Sequence, residues 1–179
     1  MALTLIKEDG TGKADANSYA SVADGDAYFE GHLYATQWTA ANADNKAKAL
    51  VFATRLIDAE RQFNGVKTTA VQALQWPRSN CPNPDAAAES GAAAAVLVDD
   101  QVPPAVVKAT CELAKELLLQ DRTTAPPGEG LIATWTDTSG TKYSKTDKRP
   151  LLSYLVQSLL AKYSASVRRG SPVVRLVRT

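Results

Sequence analysis

The chain has 179 residues, of which 45% are hydrophobic and 22% are charged, and its formal net charge at pH 7 is +1. This length predicts one domain that buries roughly 70% of its unfolded surface, and the composition excludes collagenous, disulfide-rich and wholly disordered proteins. The small net charge also argues against a strong global attraction to nucleic acid.

The N-terminus and the cysteines bear on the cellular compartment. The first nine residues lack the charged and apolar regions of a secretory signal, and no apolar run approaches the roughly 18 residues that span a membrane. Cys81 and Cys111 have no metal-ligand spacing and indicate reduced thiols. We therefore expect a protein made in the cytoplasm, without a membrane partner.

The first twenty residues predict a strand and a turn. Residues 3–6 alternate in part, which is typical of an edge strand. Residues 10–13, Gly-Thr-Gly-Lys, resemble a phosphate loop but lack the Walker spacing and the hydroxyl residue after the lysine. We interpret them as a flexible turn.

Two amphipathic helices follow. Ser21 and Asp24 predict a capping box that starts a helix ending near His32. His32 is the only histidine in the chain, so it cannot form a histidine-based zinc site alone, and we expect an exposed residue at the helix end. The second helix is predicted over residues 45–62, with Asp44 as its N-cap and an apolar stripe that includes Leu50 and Ile57.

The dipeptide Trp76-Pro77 cannot lie inside an ordinary helix, because proline lacks an N–H and pushes the preceding residue toward an extended conformation. We expect a rigid structural elbow made of Trp76, Pro77 and Arg78. Trp76 is predicted to be wedged in the core, with Arg78 solvating its rim.

A long loop and the central helix come next. Residues 80–91 have loop composition within a predicted loop over 80–98, and residues 95–98 predict a brief extended segment. Pro103 and Pro104 predict the start of a helix over residues 104–121. Its apolar face is wide, with Glu112 and Lys115 in a narrow polar strip, so we expect the central helix of the fold. Cys111 is then a small core residue and not a nucleophile.

The C-terminal third predicts a hairpin, a helix and a tail. Residues 132–136 and 141–144 flank a turn at 137–140, and a last helix begins near Pro150. The predicted fold class is mainly α, a compact bundle of about four helices with a β-hairpin and an extended C-terminal strand. We divide it into a helical body (1–125), a hairpin and linker (126–148) and a C-terminal helix with a basic tail (149–179), within a single domain.

Positive charge is concentrated at the C-terminus. Residues 141–179 hold nine basic residues and one acidic residue, a net charge of +8, which leaves −7 for the preceding 140 residues. This asymmetry predicts that the C-terminal part meets an acidic partner, either protein or nucleic acid.

No motif for catalysis or for cofactor binding is present. The sequence has no metal-spaced cluster, nucleophile elbow, dinucleotide fingerprint or complete P-loop. We therefore expect no enzyme activity, no catalytic residue, no cofactor and no metal, and we ask instead what the chain binds.

Four groups of residues carry a resemblance to a known family. They are Ser18-Tyr19 with residues 23–29, Ala49-Leu50 with Ala53-Thr54 and Ile57-Asp58, residues 72–78, and residues 102–109. Together they cover most of residues 18–120, and the Trp-Pro-Arg elbow followed by a Val-Pro-x-Ala-Val helix is specific only in combination.

In these residues the chain resembles a family of small tailed-phage and prophage proteins that are labelled DnaT-like single-stranded-DNA-binding proteins. They also resemble head–tail connector (adaptor, neck) proteins. The resemblance implies a virion protein at the head–tail interface, assembled in the host cytoplasm. Its partners would be further copies in a ring of twelve, the portal protein, and a tail or stopper protein, with genomic DNA passing through the ring.

We favour the connector over the DNA-binding alternative at this stage. Single-strand binders interleave basic grooves with aromatic platforms, whereas Trp38 and Trp76 of this chain lie in its acidic part. The predicted partner-binding residues are those of the basic tail: Arg168, Arg169, Val173, Val174, Arg175, Leu176, Val177 and Arg178. Residues 173–178 would add as a strand to a portal or neighbouring subunit, or else pair with residues 3–6 of the same subunit.

Overall fold

Helices form the body of the protein in this computed structural model, which describes residues 3–86, 95–124, 133–136, 139–142 and 149–167. Within these ranges there are five helices. They are α1 (Val22–Glu30), α2 (Thr36–Thr39), α3 (Ala43–Glu60), α4 (Pro104–Leu119) and α5 (Tyr154–Leu160).

The caps of the first helices follow from their sequences, with one correction. The Ser21 side chain accepts from the Asp24 N–H, and the Asp24 side chain accepts from the Ser21 N–H, so the predicted capping box is confirmed. The N-cap of α3 is Asn42 and not Asp44. Asp44 lies in the first turn, where the helix dipole favours its charge and where it pairs with Lys48 at 2.6 Å.

The helix α4 is central, as its wide apolar face predicts. It packs against α3, α5, α1 and α2, and Val106, Cys111 and Leu113 are fully buried on it. Burial raises the pKa of the Cys111 thiol to about 12, which fits a core residue and not a nucleophile. The predicted polar strip is wrong at Glu112, which is buried in the core at 1% exposure.

Three antiparallel strand pairs complete the described ranges. They join β1 (Arg61–Phe63) to β6 (Ser164–Ser166), β2 (Val66–Lys67) to β3 (Arg78–Ser79), and β4 (Ala133–Thr136) to β5 (Ser139–Lys142). In the first pair Arg61 stands opposite Ser166, and its guanidinium donates to the Ser164 hydroxyl and carbonyl at 2.9 Å each. This buried arginine ties the end of α3 to the C-terminal part of the chain.

The hairpin and the last helix form with shifted boundaries. The predicted hairpin is β4–β5, but only residues 137–138 separate its strands, so the predicted second strand began two residues too late. The last helix begins at Tyr154 after an N-cap at Ser153, four residues beyond the predicted start.

The N-terminal segment is not the predicted strand. Its N–H and carbonyl groups at Ile6 bond to Asn17, and Lys7 forms an isolated parallel bridge with Ser18. The predicted extended segment at residues 95–98 is confirmed by an antiparallel bridge between Val96 and Pro82.

The fold class is therefore mixed α/β, and the prediction of a mainly α bundle was too narrow. Strands of two to four residues are too short to show a clear alternation of period two, so residue patterns could not predict them. None of the described helices has the length and apolar character needed to cross a membrane.

Candidate functional site

The predicted partner-binding residues, Arg168, Arg169 and 173–178, lie outside the described residues. The chain approaches them along β6, and the Val167 N–H donates to the Glu60 carbonyl at 3.0 Å. The described chain therefore ends at Val167 beside the end of α3, at the Arg61 end of the β1–β6 pair.

All three residues of the Trp76-Pro77-Arg78 elbow are buried. The peptide bond between Trp76 and Pro77 is cis, and the fully buried Trp76 ring makes edge contacts with the Phe63 and Tyr163 rings. Among the described residues its indole N–H has no hydrogen-bond partner. The expected burial of Trp76 is thus confirmed.

Arg78 does not solvate the rim of that tryptophan, contrary to expectation. It is only 4% exposed and donates to the Asn64, Gly65 and Gln75 carbonyls at 2.7, 2.6 and 3.1 Å. A guanidinium can satisfy several main-chain carbonyls at once, so Arg78 holds the elbow against the turn that follows β1.

Tyr19 and Asp58 bond to the main chain just before the elbow. Residue patterns alone did not predict this contact. The Tyr19 hydroxyl donates to the Asp58 carboxylate and accepts from the Gln75 N–H at 3.1 Å, while Asp58 accepts from the same N–H at 3.2 Å. Burial raises the pKa of Asp58 to about 6, although the bond from Tyr19 opposes this shift. Burial also raises the pKa of Tyr19 well above its usual value.

The Gly-Thr-Gly-Lys turn is filled by a carboxylate of the same chain. Glu8 accepts from the N–H groups of Gly10, Gly12 and Lys13 at 2.9 Å each. Both glycines have positive φ, at 104° and 75°, which lets the N–H groups converge in an anion-binding nest. The turn is therefore ordered around Glu8, and this carboxylate occupies the place that a phosphate would need.

A third polar cluster surrounds the buried Glu112. The carboxylate accepts from the Tyr28 hydroxyl at 2.9 Å and lies 2.7 Å from the Lys115 ammonium and 3.4 Å from His32. His32 is half-buried and makes an edge contact with the Phe29 ring, so the prediction of an exposed helix end is wrong. Burial, followed by the bond to Glu112, raises the pKa of Tyr28 to about 12.

The three clusters are hydrogen-bonded within the chain, and these bonds join parts of the fold to one another. Each carboxylate, at Glu8, Asp58 and Glu112, has donors from its own chain. In the described ranges no group of three or more histidine, cysteine, aspartate or glutamate side chains could hold a metal ion.

The described surface offers apolar and aromatic side chains at a few points. Leu33 and Tyr34 follow α1 and are 89% and 78% exposed. Tyr154 begins α5 and is also largely exposed, within the basic C-terminal part of the chain. The tryptophans of the acidic part, Trp38 and Trp76, are buried and cannot stack on a ligand.

Comparison with known proteins gives one match. Residues 3–179 match the model of a family described as "Putative DnaT-like ssDNA binding protein". No curated protein and no solved structure matches the chain.

Proposed function

The chain belongs to this DnaT-like single-stranded-DNA-binding family, and from that premise we propose that it binds single-stranded DNA through its basic C-terminal part. The match over residues 3–179 carries the proposal. The net charge of +8 in residues 141–179 indicates where a polyanion would lie. This proposal reverses the preference that the sequence alone favoured.

The described aromatic residues limit how the DNA would be held. Because Trp38 and Trp76 are buried, bases cannot stack on them, and phosphate contacts would supply most of the affinity. Tyr154 is exposed and begins α5 a few residues after Arg149, whose guanidinium is fixed by the Gln120 side chain and the Asp121 carbonyl. In this proposal Tyr154 is the stacking residue of the interface.

Salt-dependent binding of fluorescent oligo(dT) tests the proposal. Replacing Arg168, Arg169, Arg175 and Arg178 by alanine should weaken binding and reduce the slope of log affinity against log salt by about 3, since each phosphate contact on a single strand contributes roughly 0.7. Tyr154→Ala should cost about 1–3 kcal/mol with little change in that slope.

The matched control removes two basic residues from the acidic part of the chain. Arg55 and Lys108 are exposed on α3 and α4, and their double alanine variant should keep both the affinity and the salt slope of the unmodified protein. If the unmodified protein does not bind oligo(dT) at low salt, the proposal is wrong.

A head–tail connector remains the second candidate function, and the exposed pair Leu33–Tyr34 favours it. Single apolar residues at a surface are ordinary, but two large adjacent ones in the turn between α1 and α2 fit a contact between proteins. In this role the chain would form a ring, of twelve copies by resemblance, between a portal and a tail or stopper protein in the virion neck. The proposed partners are then proteins, and DNA would pass through the ring without sequence-specific binding. Neither candidate function involves catalysis.

Native mass spectrometry and electron microscopy, with and without the portal protein of the same phage or prophage, test this second candidate. The connector requires a ring that joins the portal, and a chain truncated after Gly170 should no longer join it. A protein that stays monomeric with the portal, yet binds oligo(dT) with the expected salt slope, would refute the connector and support DNA binding.

A further inference from the structure

Residues 96–98 form an exposed extended segment, and an acidic turn at Asp99 and Asp100 follows it. Val96 and Val98 are exposed, while Leu97 between them packs against the core, so the side chains alternate as in a strand. Asp99 and Asp100 follow directly, and the segment borders a groove of about 380 Å³ that also contacts Ser79 and Asn80.

The hydrogen bonds between this segment and the rest of the described chain leave one of its sides open. The Leu97 N–H donates to the Cys81 carbonyl at 2.8 Å, and the Ala95 carbonyl accepts from the Asn83 N–H at 2.8 Å. In an antiparallel ladder this pattern directs the N–H and carbonyl of Val96 away from Pro82. No backbone bond from another described residue reaches Val96 or Val98, so this side of the segment can accept a further strand.

We propose that the extended segment at residues 96–98 binds residues 173–178 of a second copy of this chain by strand addition. The sequence of the tail, Val-Val-Arg-Leu-Val-Arg, combines four apolar residues with two arginines three positions apart. Its main chain would complete the ladder of Val96 and Val98, and its arginines would face Asp99 and Asp100. This contact between copies uses Arg175 and Arg178, which the proposed function assigns to DNA, but it does not depend on DNA binding.

The direction of the chain favours a second copy over the same one. Because β6 is antiparallel to β1, the chain leaves the β1–β6 pair beside Glu60, at the Arg61 end. The acceptor edge lies beyond the opposite end, where Gly65 closely approaches Ser79. To reach it within the same copy, residues 168–172 would have to reverse the direction in which β6 leaves the pair.

Charge exchange in the full chain tests this contact by sedimentation velocity, without DNA. The unmodified protein should self-associate. The acceptor variant Asp99→Lys/Asp100→Lys and the tail variant Arg175→Asp/Arg178→Asp should each weaken association at least about tenfold, because like charges would then face each other. Mixing the two variants in equal amounts should restore association.

Two controls separate this contact from loss of folding and from general charge effects. Asp15→Lys/Glu30→Lys changes the same charge at exposed positions elsewhere and should associate as the unmodified protein does. A synthetic peptide of residues 170–179 should disperse the unmodified oligomer, whereas the same composition in scrambled order should not.

The proposal is overturned if the unmodified protein is a monomer. A monomer is also the result expected if the tail docks on its own chain. The proposal is also overturned if both charge variants associate normally, or if their mixture does not recover while the peptide has no effect. Loss of oligo(dT) binding in a protein that still self-associates would refute the proposed function alone.

Discussion

Asp58 makes the stability of the fold depend on pH in a direction opposite to that of an ordinary paired carboxylate. Its pKa is raised from 3.8 to about 6 in the folded protein, with burial as the main cause. The folded state therefore holds this proton more tightly than the unfolded state does. The resulting stabilisation is complete below pH 3.8, declines as the pH rises, and is lost above about pH 6.

The size of the effect follows from the shift. A difference of about two pKa units corresponds to at most about 3 kcal/mol of unfolding free energy, at 1.36 kcal/mol per unit. Because Asp58 is half-buried, we expect a value below this limit. Other carboxylates, such as Asp24 and Asp26, have lowered pKa values, so their contribution to the unfolding free energy changes with pH in the opposite direction. The effect of Asp58 must therefore be measured as the difference between the unmodified protein and an Asp58 variant.

The assay is urea unfolding of the unmodified protein and of Asp58→Asn between pH 4 and pH 7. Their difference in unfolding free energy should change with pH by about 1–3 kcal/mol, with the unmodified protein losing stability relative to the variant as the pH rises. Asp15→Asn, at an exposed position, should give a difference that is flat over this range. A flat difference for Asp58→Asn as well would refute the account of the Tyr19–Asp58 contact.

Three further variants test the other internal contacts by the same unfolding assay. Gly10→Ala should destabilise by about 1–3 kcal/mol, because φ is positive there and the new Cβ would lie 1.8 Å from the Asp100 carbonyl, whereas Gly31→Ala meets no atom within 4 Å and should be tolerated; equal stabilities would contradict this. Glu8→Gln should cost about 1–3 kcal/mol and speed hydrogen exchange at the three N–H groups that it accepts from; unchanged exchange would refute the nest. Arg78→Lys should lower the unfolding free energy by about 2 kcal/mol or more, because an ammonium cannot reach three separate carbonyls in a buried site. A variant as stable as the unmodified protein would show that the guanidinium of Arg78 is not needed for stability.

Helices were predictable because their signals are local. The apolar stripe of α3, the proline start of α4 and the capping box of α1 each depend on residues within a few positions of one another. The start of α3 differs from the prediction because two residues could cap it. Asn42 is the N-cap instead of Asp44, since its side chain accepts from the Asn45 N–H.

The strand pairs and the buried clusters depend on distant residues, which a single sequence does not connect. The β1–β6 pair joins residues about one hundred positions apart, and Arg61 gains partners only when Ser164 is beside it. Glu112 was placed on a polar strip because its type is usually exposed. Its burial depends on donors from Tyr28 and Lys115, of which Tyr28 lies 84 residues away in the chain. Function was hardest to predict, because no local motif carries it.

Binding of the full chain to fluorescent oligo(dT) at increasing salt tests the central claim most directly. The account predicts measurable binding at low salt, a steep loss of affinity as salt rises, and a smaller slope when Arg168, Arg169, Arg175 and Arg178 are replaced by alanine. Absence of binding at low salt, or a slope that the four replacements leave unchanged, would contradict it.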